Sequence, residues 1–466
     1  MPRLVVVGGG ISGLAAAVAA RRRAEQAGRG LEVLVVEKDD RCGGKALTVA
    51  QDGYLFEGGP TGYLDNEPLL DELVRAVGLT PLPANDAAAR RFIVRGGKLR
   101  EVSANPLRFA LSGLLSPFGM ARVLAEPWIR PGKGDDEESI FDFAHRRLGR
   151  EIAERMIAPM VLGVFAGDAR QLSAAAAFPR LVELEQQHGS LIRALLALRR
   201  RRKLQGSPTG PAGKLTSFEG GLETLPQALA TRGGVEVQTG AAVESLEAAE
   251  GVGYRLRIGG RAQSLEADAV VLAGECWAMA GLLEGLAPTA ARILEAIPTP
   301  PVTVVALGYG PAMRGAVPVG FGALIPRGED LRILGCLWDS HLFPGREPAG
   351  HLLMRVMLGG SADPQAAGLD DATMLAQVTG ELRRLFPRLT EAPVFHRIVR
   401  WPRAIPQYEP GHLRRVEALR GDLARHPRLF VAGNALEGIA FTKAAAAGVR
   451  AGQAAAAQLL GLEATR

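Results

Sequence analysis

An α/β fold built on a parallel cofactor-binding sheet is predicted by three features of this 466-residue chain. It opens on an apolar strand, a glycine turn and an Ala-rich helix, Leu4-Val-Val-Val-Gly-Gly-Gly-Ile-Ser-Gly, followed by a second apolar run, Leu31-Glu-Val-Leu-Val-Val, that ends in Glu37. Two distant segments, Ala267-Asp-Ala-Val-Val-Leu-Ala-Gly and Arg428-Leu-Phe-Val-Ala-Gly-Asn, read as further strands of the same sheet, the second followed by an Ala-rich helix from about Lys443. Between these pieces lie one stretch of helical periodicity and one of strand-like runs, the pattern of a discontinuous domain carrying insertions.

The first element is a dinucleotide fingerprint. Gly8, Gly10 and Gly13 keep the G-x-G-x-x-G spacing between strand and helix. There glycines permit a tight turn, close approach of backbone to pyrophosphate, and helix-on-sheet packing. Ile11 and Ser12 start the helix, whose N-terminal amides and dipole favour phosphate. Glu37, with Lys38 beside it, ends the next strand and is placed to accept from ribose hydroxyls. Taken alone the glycines make only a glycine-rich turn; strand, helix, second strand and terminal acid together specify the Rossmann-type site.

The predicted cofactor domain comprises residues 1–88, 213–294 and 413–466. In its middle part, Thr216-Ser-Phe-Glu-Gly-Gly-Leu-Glu-Thr-Leu-Pro is read as opening a helix through Ala230. Val235-Glu-Val-Gln and a hairpin around Tyr254-Arg-Leu-Arg-Ile come next. Residues 101–212 form a helical insertion punctuated by Pro106, Pro117, Pro127 and Pro131. Residues 89–100 and 295–412 form a substrate domain with an antiparallel sheet, from the runs at Arg90–Val94, Val302–Leu307, Leu331–Leu337 and His351–Leu358.

Composition is that of an ordinary globular protein, 47% hydrophobic and 22% charged, with a net charge of +6. The mild basicity is arginine scattered along the chain, a solvated surface or a match for anionic substrates or an anionic membrane. Nucleic acid is not an expected partner. Three cysteines, odd in number and far apart, imply neither a disulfide framework nor a metal site. The first strand starts at residue 4 and no apolar run is of bilayer length, so the expected location is the cytoplasm.

Arg41-Cys42-Gly43-Gly44-Lys45, directly after the ribose acid, resembles the R-x-G-G-[RK] signature of the FAD-containing amine oxidase and phytoene desaturase superfamily. The resemblance implies FAD. It narrows with Tyr54-Leu-Phe-Glu-Gly-Gly-Pro-Thr-Gly-Tyr, which is similar to the flavin-proximal turn of the oxygen-dependent protoporphyrinogen oxidases. In order along the chain, Arg91-Phe-Ile-Val-Arg-Gly-Gly, Gly163-Val-Phe-Ala-Gly-Asp, Gly320-Phe-Gly-Ala-Leu-Ile-Pro, Leu334-Gly-Cys-Leu-Trp-Asp-Ser, Val356-Met-Leu-Gly-Gly and Ile405-Pro-Gln-Tyr-Glu-Pro-Gly-His also match that family.

That resemblance implies six-electron oxidation of protoporphyrinogen IX in haem biosynthesis, with O₂ as acceptor and hydrogen peroxide as product. The flavin carries the redox chemistry. By the same resemblance Arg91 pairs with a propionate, Phe321, Leu324 and Met357 lie against the macrocycle, and the Gly163 backbone carbonyl orients or deprotonates substrate. Any of these apolar residues is equally a core side chain, and Arg91 equally a surface arginine. Cofactor contacts are expected from Arg41, Gly44 and Lys45, from Gly58, Gly59, Pro60 and Thr61, from Val243, and from Gly433, Ile439, Ala440 and Phe441. His412, the histidine inside a family motif, is read as structural.

Phe441-Thr-Lys departs from the family's more polar run, and Lys443 is read either as a charge near the reduced flavin or as a solvent-facing side chain. Ser190 to Lys203 joins an apolar face to a basic block, either a helix end or a peripheral dock on an anionic membrane. Other readings on the same scaffold are coproporphyrinogen III oxidation, a carotenoid-type desaturase, an amine oxidase, and a flavin-binding scaffold without turnover. A homodimer is kept among the partners.

Overall fold

The computed structural model describes residues 1–103, 105–133, 137–205, 213–249, 251 and 253–463. Five parallel strands form the central sheet in the order Glu236–Gln238, Glu32–Val36, Arg3–Val7, Ala269–Leu272, Leu429–Val431. The three segments that the sequence separates therefore meet in one sheet. Leu4, Val5 and Val6, and Val270 to Leu272, are wholly buried, because helices cover both faces of a parallel sheet.

One face carries the first helix, Ile11–Gln26, and the last, Phe441–Leu460. They touch backbone to backbone: a Cβ on Gly448 or Gly452 would lie 2.0 Å from the carbonyl oxygen of Ser12 or Ala16. The other face packs on Cys276–Leu283, Pro288–Glu295 and His412–Leu423.

The hairpin Thr48–Gln51/Tyr54–Glu57 turns on Asp52 and Gly53, both at positive φ (52° and 77°), as a two-residue hairpin loop of the twisted type requires. Downstream, one expectation is corrected. Leu215–Ser217 is a strand, paired with Tyr63–Leu64 and Leu82–Pro83, and the helix starts only at Thr224. Gly221, at φ 88°, makes the turn between them.

A second sheet has seven strands, in the order Phe395–Trp401, Val302–Tyr309, Leu352–Gly359, Gly335–Leu337, Gly322–Leu324, Arg91–Arg95, Lys98–Val102. Neighbours are antiparallel except Gly322–Leu324 beside Arg91–Arg95, which run parallel. The run expected from Leu331 is a strand only from Gly335. Before that, the amides of Arg332 and Ile333 donate to the Glu381 carboxylate (3.0 Å each) instead of to a ladder. The outer face packs on Asp371–Leu385 through Met374, Val378 and Leu382. The inner face meets the hairpin and the turn after it.

The described residues between 106 and 205 are mostly helical, and Pro106 and Pro117 each sit in a first turn, behind side-chain caps from Asn105 and Ser116. A π-helical turn, Ala153–Ile157, leads into Ala158–Phe165. Within this insertion lies a buried charge cluster. Arg147 pairs with Glu126, both wholly buried, and with Glu185 at 3.3 Å, while Arg146 pairs with Glu138 and Glu185. Glu126 also accepts from the amides of Leu191 (2.9 Å) and Ile192 (3.2 Å), so one carboxylate starts helix Leu191–Gln205 and neutralises an arginine.

Candidate cofactor and substrate site

The carboxyl ends of the parallel strands define the cofactor edge. Gly8, at φ 110°, turns the chain, and a Cβ on Gly13 would lie 1.9 Å from the Gly8 carbonyl oxygen, so both positions demand glycine. A Cβ on Gly10 would meet nothing within 4 Å. Open space thus lies at the start of a 16-residue helix whose first turn, from Ile11, has no side-chain cap. The 20-residue last helix begins nearby at Phe441, also uncapped, and the Ser12 hydroxyl joins the two by donating to the Ala444 carbonyl (2.9 Å). The uncapped start of the first helix beside the open glycine turn makes a cradle for pyrophosphate, and the start of the last helix, at Phe441 beside Tyr63, lies along the same edge.

Glu37 is buried, its oxygens accepting from the amides of Gly9 (2.6 Å) and Asp39 (2.9 Å). The carboxylate is thereby fixed, with lone pairs left for ribose hydroxyls. Lys38 pairs with Asp39 at 2.5 Å on the surface. Ala241 donates to the Glu37 carbonyl (2.8 Å), which brings the segment leading to Val243 alongside.

The basic turn is held by its own charges. Arg41 donates to the Gly44 carbonyl (2.6 Å) and pairs with Glu223 (2.9 Å); Lys45 pairs with Glu275 (2.5 Å). A Cβ on Gly59 would lie 1.9 Å from the Lys45 carbonyl oxygen, so Gly58 to Thr61 runs in contact with this turn. Arg355 fixes the second turn from beneath. Wholly within the protein, it donates to the Glu57 carbonyl (2.7 Å) and the Thr61 hydroxyl (3.0 Å) and forms a two-pronged pair with Asp339. Burial works against that charge, and the Asp339 pair together with the Glu57 charge more than restores it. Burial pushes the Glu57 carboxyl up, against bonds from the Thr48 hydroxyl and the Leu222 amide.

The loop before the last helix, Gly433 to Ala440, is clamped by the Ile405-to-His412 motif. The Tyr408 hydroxyl donates to the Asn434 carbonyl and accepts from the Gly438 amide (2.9 Å). His412, stacked on Tyr408 with centroids 4.1 Å apart, bonds the Leu436 carbonyl (3.2 Å), in keeping with its structural reading. Ile439 packs against the helical insertion, and Phe441 lies 6.4 Å from Tyr63, ring to ring. Of the two readings of Lys443 the geometry selects the second: the side chain is exposed and pairs with Glu67 at 2.8 Å.

The candidate substrate residues come together on the inner face of the seven-stranded sheet. Leu324, Gly335 and Met357 are directly opposite one another on three adjacent strands, so they share a face, and at Gly335 a Cβ would lie 3.6 Å from Leu324 Cδ2. A Cβ on Gly163 would lie 2.3 Å from Leu324 Cδ2, which places the helix Ala158–Phe165 over this row. The Arg91 guanidinium lies 5.1 Å from the centre of the Phe321 ring, and Arg91 is exposed. A cation at the rim of an apolar, flat surface is the result.

Sequence reasoning missed Arg355, Asp339 and Tyr408 as site-builders. A signal was present for Arg355, a charge in the middle of the apolar strand Leu-Leu-Met-Arg-Val-Met-Leu, since such a charge is buried only with a partner. Nothing local marks Asp339 as that partner.

Comparison with known proteins agrees with this geometry. The profile of the flavin-containing amine oxidoreductases matches residues 11–460. Protoporphyrinogen oxidase of Bos taurus is 36% identical over 99% of this chain and 98% of its own length. Coproporphyrinogen III oxidase of Bacillus subtilis (strain 168) is 30% identical over 94% of each. A crystal structure from Exiguobacterium sp. 255-15, provisionally named a protoporphyrinogen oxidase, superposes with a TM-score of 0.80 at 26% identity, covering 96% of this chain and 97% of that one. The chain belongs to the flavin-containing amine oxidoreductase family and is an FAD-dependent oxidoreductase.

Proposed function

We propose that the chain oxidises protoporphyrinogen IX to protoporphyrin IX, with O₂ as acceptor and hydrogen peroxide as product. The observation that carries this reading is Arg91 stacked on Phe321 at the rim of the Leu324–Gly335–Met357 row, a cation beside a flat apolar surface, as a macrocycle with propionates requires. Relatives named for porphyrinogen oxidation over nearly the whole chain support it. Bound FAD supplies hydride acceptance and electron transfer to O₂.

The chain's own residues bind and orient. Arg91 holds a propionate through its paired N–H groups. Phe321, Leu324 and Met357 exclude water from the ring, and Gly163, having no side chain, lets Leu324 pack directly against the helix backbone. Gly8, Gly10, Ile11, Ser12 and Gly13 receive the pyrophosphate, and Glu37 the ribose.

Coproporphyrinogen III is the second reading, because one relative bears that name and the substrates differ chiefly in propionates. Side-by-side kinetics on both porphyrinogens, with porphyrin fluorescence and peroxide yield, separates the two. Oxidation of neither would overturn the proposal. Arg91→Met should raise KM for the preferred porphyrinogen about tenfold, the scale of one charge-assisted contact. Arg91→Lys should recover part of it, and an unchanged KM removes the propionate assignment.

We also propose a cytoplasmic protein docked peripherally on the inner face of an anionic membrane through the helical insertion. Leu107, Leu111, Phe118, Leu124 and Trp128 all point outward, as do Leu195 and Leu196 on Leu191–Gln205. That helix ends in the basic block; Arg200 is exposed, while the side chains of Arg199 and of residues 201–205 lie outside the described ones. The protein should co-sediment with vesicles containing anionic lipid, less so at high salt. Equal binding to neutral vesicles removes the electrostatic part.

A further inference from the structure

The Ile405-to-His412 motif does more than pack. Its side chains hold the Gly433–Ala440 loop at three backbone groups: Asn434 and Leu436 carbonyls and the Gly438 amide. Tyr408 is 1% exposed and its hydroxyl is used twice, once as donor and once as acceptor, so both its hydrogen-bonding roles go to this loop. His412 faces a carbonyl, which can only accept, so its Nε2 carries the proton.

On its other side the same motif holds the helical insertion. Gln407 donates to the Phe165 carbonyl (2.9 Å), and the Ser173 amide donates to the Tyr408 carbonyl (2.7 Å). A Cβ on Gly167 would lie 2.1 Å from Gln407 Oε1, so this contact is tight. Phe165 ends the helix that carries Gly163.

The loop runs directly into the uncapped start of the last helix, whose free amides form one side of the cofactor edge. We propose that Tyr408 and His412 are positioning residues that fix these amides relative to the bound flavin and so set its electron affinity. Through Gln407 and the Tyr408 carbonyl they keep that setting in register with the wall bearing Gly163. Amides held at one place favour the negative charge that the flavin gains on reduction. A loop free to relax would favour it less. The inference rests on the FAD assignment and is independent of which substrate is oxidised.

The test uses the FAD-loaded full chain without porphyrinogen. Tyr408→Phe keeps the ring and its stack on His412 but removes both loop bonds. It should lower the two-electron potential of the bound flavin by about 30 mV, equivalent to a tenfold loss in the reduction equilibrium. It should also weaken sulfite binding to the flavin about tenfold. Tyr309→Phe, at a buried tyrosine in the outer core of the seven-stranded sheet, should leave both unchanged.

If Tyr408→Phe retains FAD with the potential and sulfite affinity of the wild type, the proposal is overturned. If that variant does not hold FAD, His412→Phe decides, since it keeps a stacking ring and loses the bond to Leu436. A lowered potential in His412→Phe supports positioning, and an unchanged one overturns it. A wild-type protein that oxidises neither porphyrinogen would overturn the proposed substrate and leave this comparison standing.

Discussion

The first and last helices press alanine and glycine against each other until backbones touch, whereas the helices of the insertion turn Leu107, Leu111, Phe118, Leu124 and Trp128 outward, 67–81% exposed. Both regions are rich in apolar residues, and they dispose of them in opposite ways. The helix pair gains close packing, which keeps two helix starts side by side at the cofactor edge. The insertion instead buries the Glu126–Arg147–Glu185 charge cluster and presents large apolar side chains to whatever lies outside. Rigidity at the cofactor edge and greasiness at the periphery follow from where small and large apolar residues fall.

The contrast breaks most severely at the buried charge cluster of the insertion. Glu126→Gln leaves the wholly buried Arg147 guanidinium with only Glu185, which Arg146 shares, as counter-charge, and weakens the start of helix Leu191–Gln205. Removing one partner of a buried pair costs about 3–5 kcal/mol. Amide exchange over residues 191–198 should rise strongly while FAD content and the visible flavin spectrum hold. Equal exchange in variant and wild type would show that the apolar surface, not the charge cluster, holds the insertion together.

Next in size is the packed pair. Gly452→Val puts branched carbon where the Ala16 carbonyl already sits, and overpacking of this kind costs about 1–3 kcal/mol. The melting temperature should fall and FAD be lost more readily on dilution, since the two helix starts are pushed apart. A variant with native FAD affinity and melting temperature would mean that the helices slide without consequence for the edge.

Much of this contrast can be read from residues directly. The parallel strands announce themselves as unbroken Val/Leu runs because both their faces are covered, and the glycine spacing at Gly8 to Gly13 places the cofactor turn. The row Leu324–Gly335–Met357 cannot be read that way. Its members come from three strands, and only the register between them sets Gly335 between two large side chains. The same holds for Arg355 and Asp339, which meet through the packing of a strand on a short helix, and for Leu215–Ser217, a strand because Tyr63–Leu64 and Leu82–Pro83 flank it. Local pattern records what a residue prefers, and these features depend on what lies opposite.

The smallest effect on the fold, and the sharpest on the periphery, comes from Phe118→Ser with Trp128→Ser. Both side chains are almost fully in water, 81% and 78% exposed, so their removal should change the unfolding free energy by no more than about 0.5 kcal/mol. If they enter a bilayer interface, each loses burial worth about 1.5–3 kcal/mol. Binding to vesicles containing anionic lipid should then fall about tenfold or more per residue, with melting temperature and flavin spectrum unmoved. Loss of stability without loss of vesicle binding would place these residues in the core economy of the insertion and remove the contrast with the first and last helices. Loss of vesicle binding alone would show that the insertion's outward residues are kept for a surface outside the chain.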